Sequence, residues 1–154
     1  MVREIRRKEK ALDNTEAIEI LKHCDYGILS SISENGYPYG VPVFYAYFND
    51  AIYLHCALEG HKTDNLRSND KVSFCVVGAT SVLPEKFTAK YESVVVFGRA
   101  KEVFDEEKHA ALMELLNKYS PDYMEKGKEY IKNANAKTKV MKVCMEHLSG
   151  KAQR

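Results

Sequence analysis

The spacing of apolar residues changes character along the chain, and each change marks a different kind of element. Ala17, Ile20, Leu21 and Cys24 recur at helical intervals, which predicts an amphipathic helix lying on a core. Asp13 stands at its N-cap, with Glu16 three residues on completing a capping box, and Asp25-Tyr26-Gly27 closes it. The pattern then turns to strands: Ile28 to Ser33, Tyr37 to Phe48 and Ala51 to Ala57. Glu34-Asn35-Gly36 and Asn49-Asp50 leave room only for tight turns, so these three strands are expected as an antiparallel meander. The second strand is apolar on both faces, with Val41, Val43, Tyr45 and Tyr47 on one and Phe44, Ala46 and Phe48 on the other. A half-exposed sheet would alternate with polar residues, so this strand predicts cover on both sides, from a barrel interior plus a helix or from a partner subunit.

Gly60 interrupts the strands, and His61 to Ser68 reads as a short helix ending before Asn69-Asp70. Val72 to Val77 and the long stretch Ala89 to Val103 are further strands. Asp105 is placed to cap a helix whose first turn holds Glu106 and Glu107, where acids suit the helix dipole. Its stripe is Ala111, Leu112, Leu115 and Leu116; Pro121 starts a second, more polar helical stretch to about Asn135. A last strand, Val140 to His147, precedes a tail from Ser149 to Arg154. Without repeats or linkers, the whole of 1–154 reads as one domain. It is mainly β with flanking helices, six antiparallel strands in a small barrel and a helical insertion over 105–135 before the last strand.

Composition narrows the partners. With 23 basic and 22 acidic residues the net charge is +1, which gives no broad surface for nucleic acid or anionic lipid. Cys24, Cys56, Cys75 and Cys144 lie far apart beside apolar residues, without metal-ligand spacing, and read as buried thiols of a reducing compartment. The charged N-terminal stretch has no apolar run behind it and no segment approaches the ~20 apolar residues of a membrane span, so a cytoplasmic protein is expected.

Candidate chemistry concentrates in the segment around Glu59-Gly60-His61-Lys62. A strand ends, a glycine permits a tight turn, and a helix opens with His and Lys where its dipole disfavours cations by ~0.3–1 kcal/mol. An anion held by the free N–H groups and Lys62 would turn that penalty into an attraction, as a phosphate site does; a solvated helix start is the alternative. Pro38 and Pro42 in a sheet-like segment mark a strand that is not fully paired. That is either an ordinary edge or a place where backbone near Val41 and Val43 meets the polar rim of a planar ligand. His55 shares a strand face with Tyr53 and Ala57, opposite Ile52, Leu54 and Cys56. It is a candidate proton donor, or a histidine that only hydrogen-bonds within a cleft. His23 and His109 read as surface residues, and His147, at a strand end, has no assignable task.

Four separated blocks carry a family resemblance: Tyr37-Pro-Tyr-Gly-Val-Pro-Val, the strand ending His55-Cys-Ala with Glu59-Gly-His-Lys, Tyr91-Glu-Ser-Val-Val-Val-Phe-Gly98, and Glu146-His-Leu-Ser-Gly-Lys151. Together, from about Asp25 to Lys151, the chain resembles the nitroimidazole-resistance (Nim-type) branch of the pyridoxamine 5′-phosphate oxidase-like flavoproteins. The resemblance implies an FMN-binding split β-barrel, Greek-key-like, that is an obligate homodimer with FMN between its subunits. By the same resemblance Gly60, His61, Lys62 and Asn65 surround the FMN phosphate. Val41, Pro42, Val43 and Phe44 run beside the isoalloxazine, and His55, Cys56 and Ala57 form the strand end next to it. Tyr91 and Ser93 match a segment near the flavin, often from the other subunit, and Ser31 is a further candidate for the ribityl or phosphate region. The basic residues and C-terminal Arg/His pattern of true pyridoxamine-phosphate oxidases are missing, which disfavours vitamin B6 oxidation.

The expected activity is FMN-dependent reduction of a small planar acceptor such as a nitroimidazole, without a Rossmann fingerprint for a nicotinamide donor. The rival expectations are a flavin-binding or sequestering protein without turnover, and a haem-binding relative with His55 or His147 as axial ligand.

Overall fold

Turn chemistry and one broken strand set the course of the sheet. In the computed structural model, which describes residues 2–154, the elements run β1 (Ala11–Leu12), α1 (Asn14–His23), β2 (Gly27–Ile32), β3 (Pro38–Val43), β4 (Ala46–Phe48), β5 (Ala51–Ala57), α2 (His61–Ser68), β6 (Lys71–Leu83), β7 (Thr88–Val103), α3 (Asp105–Tyr119), α4 (Met124–Ala134) and β8 (Thr138–Gln153). Asp13 caps α1 by accepting the Glu16 N–H at 2.8 Å. The reciprocal half of the expected capping box is not made, because the Glu16 carboxylate pairs with Arg154 instead. Gly36, at φ 84°, donates its N–H to the Ser33 carbonyl and closes the β2–β3 hairpin, while Asn49 and Asp50, both at positive φ, form the two-residue β4–β5 turn.

The sheet has eight strands rather than the expected six, all pairs antiparallel, in the order β3-β2-β6-β7-β8-β5-β4, with β1 added on β8. The count rises partly through β1 and partly because the expected strand Tyr37–Phe48 breaks at Phe44–Tyr45. Tyr45 explains the break. Its N–H donates to the Tyr119 hydroxyl at 3.0 Å, its carbonyl accepts from Lys118 Nζ at 3.0 Å and lies 2.8 Å from the Tyr119 hydroxyl, and its own hydroxyl donates to the Leu21 carbonyl. Side chains of α3 thus take the backbone groups a neighbouring strand would have used. The expected meander is corrected for the same reason: β3 and β4 are consecutive in the chain but stand at opposite ends of the strand order. The sheet does not close, although only Phe44 and Tyr45 separate its end strands β3 and β4 in the chain, a split-barrel architecture with flanking helices.

Two other expectations change. β8 continues through Gln153, so the expected tail from Ser149 is strand, paired with β7 as far as Tyr91↔Gln153. β6 likewise runs on to Leu83, which makes the β6–β7 hairpin long. Asp105 does not cap α3: it lies in the first turn at φ 52°, and no side chain caps this helix.

Two apolar clusters hold the fold. Leu29, Tyr45, Ile52, Leu54, Phe74, Val94, Val96 and Val143 fill the space inside the sheet, which Ala17, Ile20 and Leu21 of α1 close at one side. Outside, Tyr53, Val103 and Val140 meet Ala111, Leu112 and Leu115 of α3. Period-two alternation on β5 divides these clusters as expected, with Ile52, Leu54 and Cys56 inside and Tyr53 outside. β8 is the strand that joins the parts, bonded to β1, β5 and β7. Among the described residues no helix is long and apolar enough to cross a membrane.

Candidate functional site

The β5–α2 junction is built around a glycine. Gly60 adopts φ 141°, a backbone region that side chains disfavour, and a Cβ added there would meet no atom within 4 Å. The first helical bond of α2 runs from Asp64 N–H to the Gly60 carbonyl at 2.9 Å, so the N–H groups of His61, Lys62 and Thr63 have no intrahelical partner. Thr63 ties the helix back to the end of β5 through the Ala57 carbonyl, 3.4 Å away.

A polar chain locks α2 against the β2–β3 hairpin. Asn65 Nδ2 donates to Ser31 Oγ at 3.1 Å and lies 3.3 Å from Ser33 Oγ, and Ser33 Oγ sits 2.9 Å from His61 Nε2. Ser31 and Asn65 are buried, so their mutual bond removes what would be a costly pair of unsatisfied groups. Tyr39 stacks on the His61 ring, centroids 4.0 Å apart. The result is a fixed helix start with an open space above Gly60 and a cation, Lys62, beside it.

His55 lies one strand position from Cys56 on the outer face of β5. Its imidazole reaches solvent, yet surrounding protein strips part of its hydration. Burial first, and then the Lys62 cation, hold its pKa below the ordinary 6.5. Burial likewise pushes the Cys56 thiol up. An NMR pH titration of the His55 imidazole is expected to show a midpoint below 6.5, moving upward in Lys62→Ala; a midpoint unaffected by that change would remove the coupling. The stability consequence has a definite sign. The unfolded chain takes the proton at the higher pH, so this contribution is complete above about 6.5 and is lost as the pH falls towards the folded value.

β3 is an edge strand, bonded only to β2. Counting along the ladder from the Ser33 N–H to Tyr37 carbonyl bond, Tyr39, Val41 and Val43 direct their backbone groups to β2. The free edge therefore carries the carbonyls of Pro38, Gly40 and Pro42, not those of Val41 and Val43 as the sequence led us to expect. Both prolines sit where an N–H would otherwise point into the open. Val43 is buried, Val41 packs on the core, and Phe44 is exposed with its ring edge-on to Tyr119 at 5.2 Å.

The structure thus brings Ser31, Gly60, His61, Lys62 and Asn65 together, with His55, Cys56 and Ala57 at the adjoining strand end. Within one chain Tyr91 and Ser93 are not part of this group: they pair with Gln153 and Lys151 on β8, where Lys151 lies over the Tyr91 ring. His147 sits near Phe97, away from His55. Sequence reasoning missed Ser33, Tyr39 and Thr63. Ser33 and Tyr39 were within reach of the alternation rule, being two residues from Ser31 and Val41 on the same strand faces.

Comparison with known proteins bears on this geometry. Residues 13–152 match the family model described as pyridoxamine 5′-phosphate oxidase. A search of curated protein sequences finds no match. Among solved structures, a candidate 5-nitroimidazole antibiotic resistance protein of Bacteroides thetaiotaomicron is similar at 27% identity, covering 92% of this chain and 86% of that one, with a TM-score of 0.80. An FAD-binding protein of Mesorhizobium loti shares the fold at 23% identity, over 94% of this chain and 98% of its own, with a TM-score of 0.67. An FAD- and haem-binding protein of Mycobacterium smegmatis does so at 15% identity, over 94% and 74%, with a TM-score of 0.82.

Proposed function

The chain belongs to the pyridoxamine 5′-phosphate oxidase family, and from that premise we propose that it binds FMN and reduces small planar acceptors of the nitroimidazole kind. The start of α2 carries this reading: three N–H groups without helical partners, Lys62 beside them and open space over Gly60 fit a phosphate. The Bacteroides relative supports the acceptor class, and the flavin-binding relatives show that this fold accommodates such a cofactor.

Bound flavin would supply the transfer of electrons in pairs. The chain's residues would bind and orient. Lys62 and the free N–H groups of α2 would neutralise the phosphate, and the polar chain from Ser31 through Asn65 to His61 keeps that helix start from shifting. Val41 to Phe44 would lie along the ring, with Gly40 N–H as the donor left at the β3 edge between two prolines. His55 would hold a proton on its imidazole for delivery to the acceptor. Burial is the main cause of its lowered pKa; compensation of Lys62 by a phosphate would relieve the smaller, repulsive part and so favour the protonated form.

A second copy belongs to the same reading. The outer face of β2, β6 and β7 leaves Ile32, Val77 and Phe97 exposed on an uncovered sheet. A homodimer through that face would bury them and carry Tyr91 and Ser93 of one subunit towards the α2 start of the other. The visible spectrum of the protein as isolated is the test. A yellow protein that bleaches with dithionite and transfers its electrons to a nitroimidazole, sedimenting as a dimer, is the expected result. A colourless protein that gains no flavin on incubation with FMN would end the proposal.

A further inference from the structure

His55 looks away from the barrel interior into a groove of about 480 Å³ between α3 and α4. Leu115 and Tyr119 form one wall, Tyr123, Tyr130 and Ile131 the other, and His55 lies at the floor. A Cβ at Gly127 would fall 2.1 Å from the Leu116 Cδ1 side-chain atom, so the α4 backbone rests on α3 there, and Ile131 packs against the cluster that α3 joins, leaving the groove between these contacts. None of the α4 residues is buried, and Tyr123 and Tyr130 remain 64% and 75% exposed along the groove. An amphipathic helix normally turns such a face to protein; here the face lines a space.

Charge narrows the occupant. No carboxylate lines the groove, and Lys126 is its one lysine or arginine. Lys128 is paired with Glu125, whereas Lys126 enters none of the ion pairs among the described residues. Apolar and aromatic walls with few polar groups are the usual make-up of a small-molecule site, and this volume lies in its ordinary range of roughly 300–1,000 Å³. The groove also adjoins the β5–α2 site, because Tyr119 touches Phe44 on one side and borders the groove on the other.

We propose that this groove binds a small planar aromatic molecule carrying one carboxylate or similar anionic group, with its ring between the α3 and α4 tyrosines and its charge at Lys126. The groove shares His55 with the proposed flavin site, but binding to it is measured without turnover, so its failure and that of the flavin reading are distinguishable. The probe is 2-naphthoate, titrated calorimetrically into the protein as purified, with 2-naphthylmethylammonium as the oppositely charged control. Naphthoate should bind at least about tenfold more tightly and shift the His55 imidazole resonance, a tenfold ratio being the effect of one modest charge contact. Lys126→Glu, an exposed change, should reverse the preference, and Ala134→Phe should fill the groove and abolish binding of both. Equal affinities, no binding, an unmoved His55 resonance, or naphthoate binding that survives both substitutions would each overturn the proposal. Circular dichroism of each variant separates loss of the site from loss of the fold.

Discussion

Alanine at Lys62 is expected to weaken FMN by about 30- to 150-fold while leaving riboflavin within a factor of about three. A charge-assisted contact to phosphate contributes about 2–3 kcal/mol, and 1.4 kcal/mol is a factor of ten in affinity. Riboflavin lacks the phosphate, so it reports what Lys62 contributes to the ring pocket alone. Fluorescence quenching of each flavin on binding measures both constants. Equal losses would take Lys62 away from the phosphate and leave the α2 N–H groups as the sole anion contact. Raising the salt should weaken FMN in the parent more than in Lys62→Ala, because the lost contact is the one that ions screen.

The second large effect falls on stability, far from the site. At Gly98 the ladder between β7 and β8 slips: Phe97 faces His147 and Gly98 faces Met145, leaving Glu146 unmatched. A Cβ at Gly98 would lie 2.2 Å from the Cys144 carbonyl oxygen, an atom of the neighbouring backbone that cannot rotate away. Gly98→Ala should therefore cost about 3 kcal/mol or more, at the upper end of what overpacking does. Gly40→Ala is the control. Its added carbon comes no nearer than 3.4 Å to Ile28, an ordinary contact, and the change should stay within about 0.5 kcal/mol. Urea unfolding of the two variants decides between them, and a Gly98 variant as stable as the parent would mean that β8 shifts to make room.

Most elements were legible because their signals are local. The α1 stripe, the Asn35-Gly36 and Asn49-Asp50 turns and the helix after Gly60 are each fixed by residues within a few positions of one another. What misled was long-range. Nothing near Phe44–Tyr45 announces a break, since the groups that end the strand there, Lys118 and Tyr119, lie more than 70 residues away. The same distance hid the true neighbours of β3 and β4. At the site, Gly60 and Lys62 stood out through chemistry that a helix start ordinarily avoids. Ser33 and Tyr39 did not, because a hydroxyl and a ring on a strand look alike whether they face solvent or hold a histidine. Tyr91 and Ser93, matched by resemblance to the flavin's surroundings, have no such neighbours within one chain.

The place of β8 in the sheet bears on how the chain acquires its structure. β3, β2, β6 and β7 are contiguous in the strand order and need nothing downstream of Val103 to pair. β1, β5 and the β4 hairpin attached to it have no lateral neighbour in that four-stranded piece; all reach it through β8, the latest of the eight strands in chain order. A nascent chain would thus hold an assembled half and a waiting half, with strand edges exposed until β8 inserts between them. Closure joins β5 and β8 positions from Ala57↔Thr138 to Ala51↔Cys144, 81 to 93 residues apart, a separation that slows folding by requiring a long loop to form before any contact rewards it.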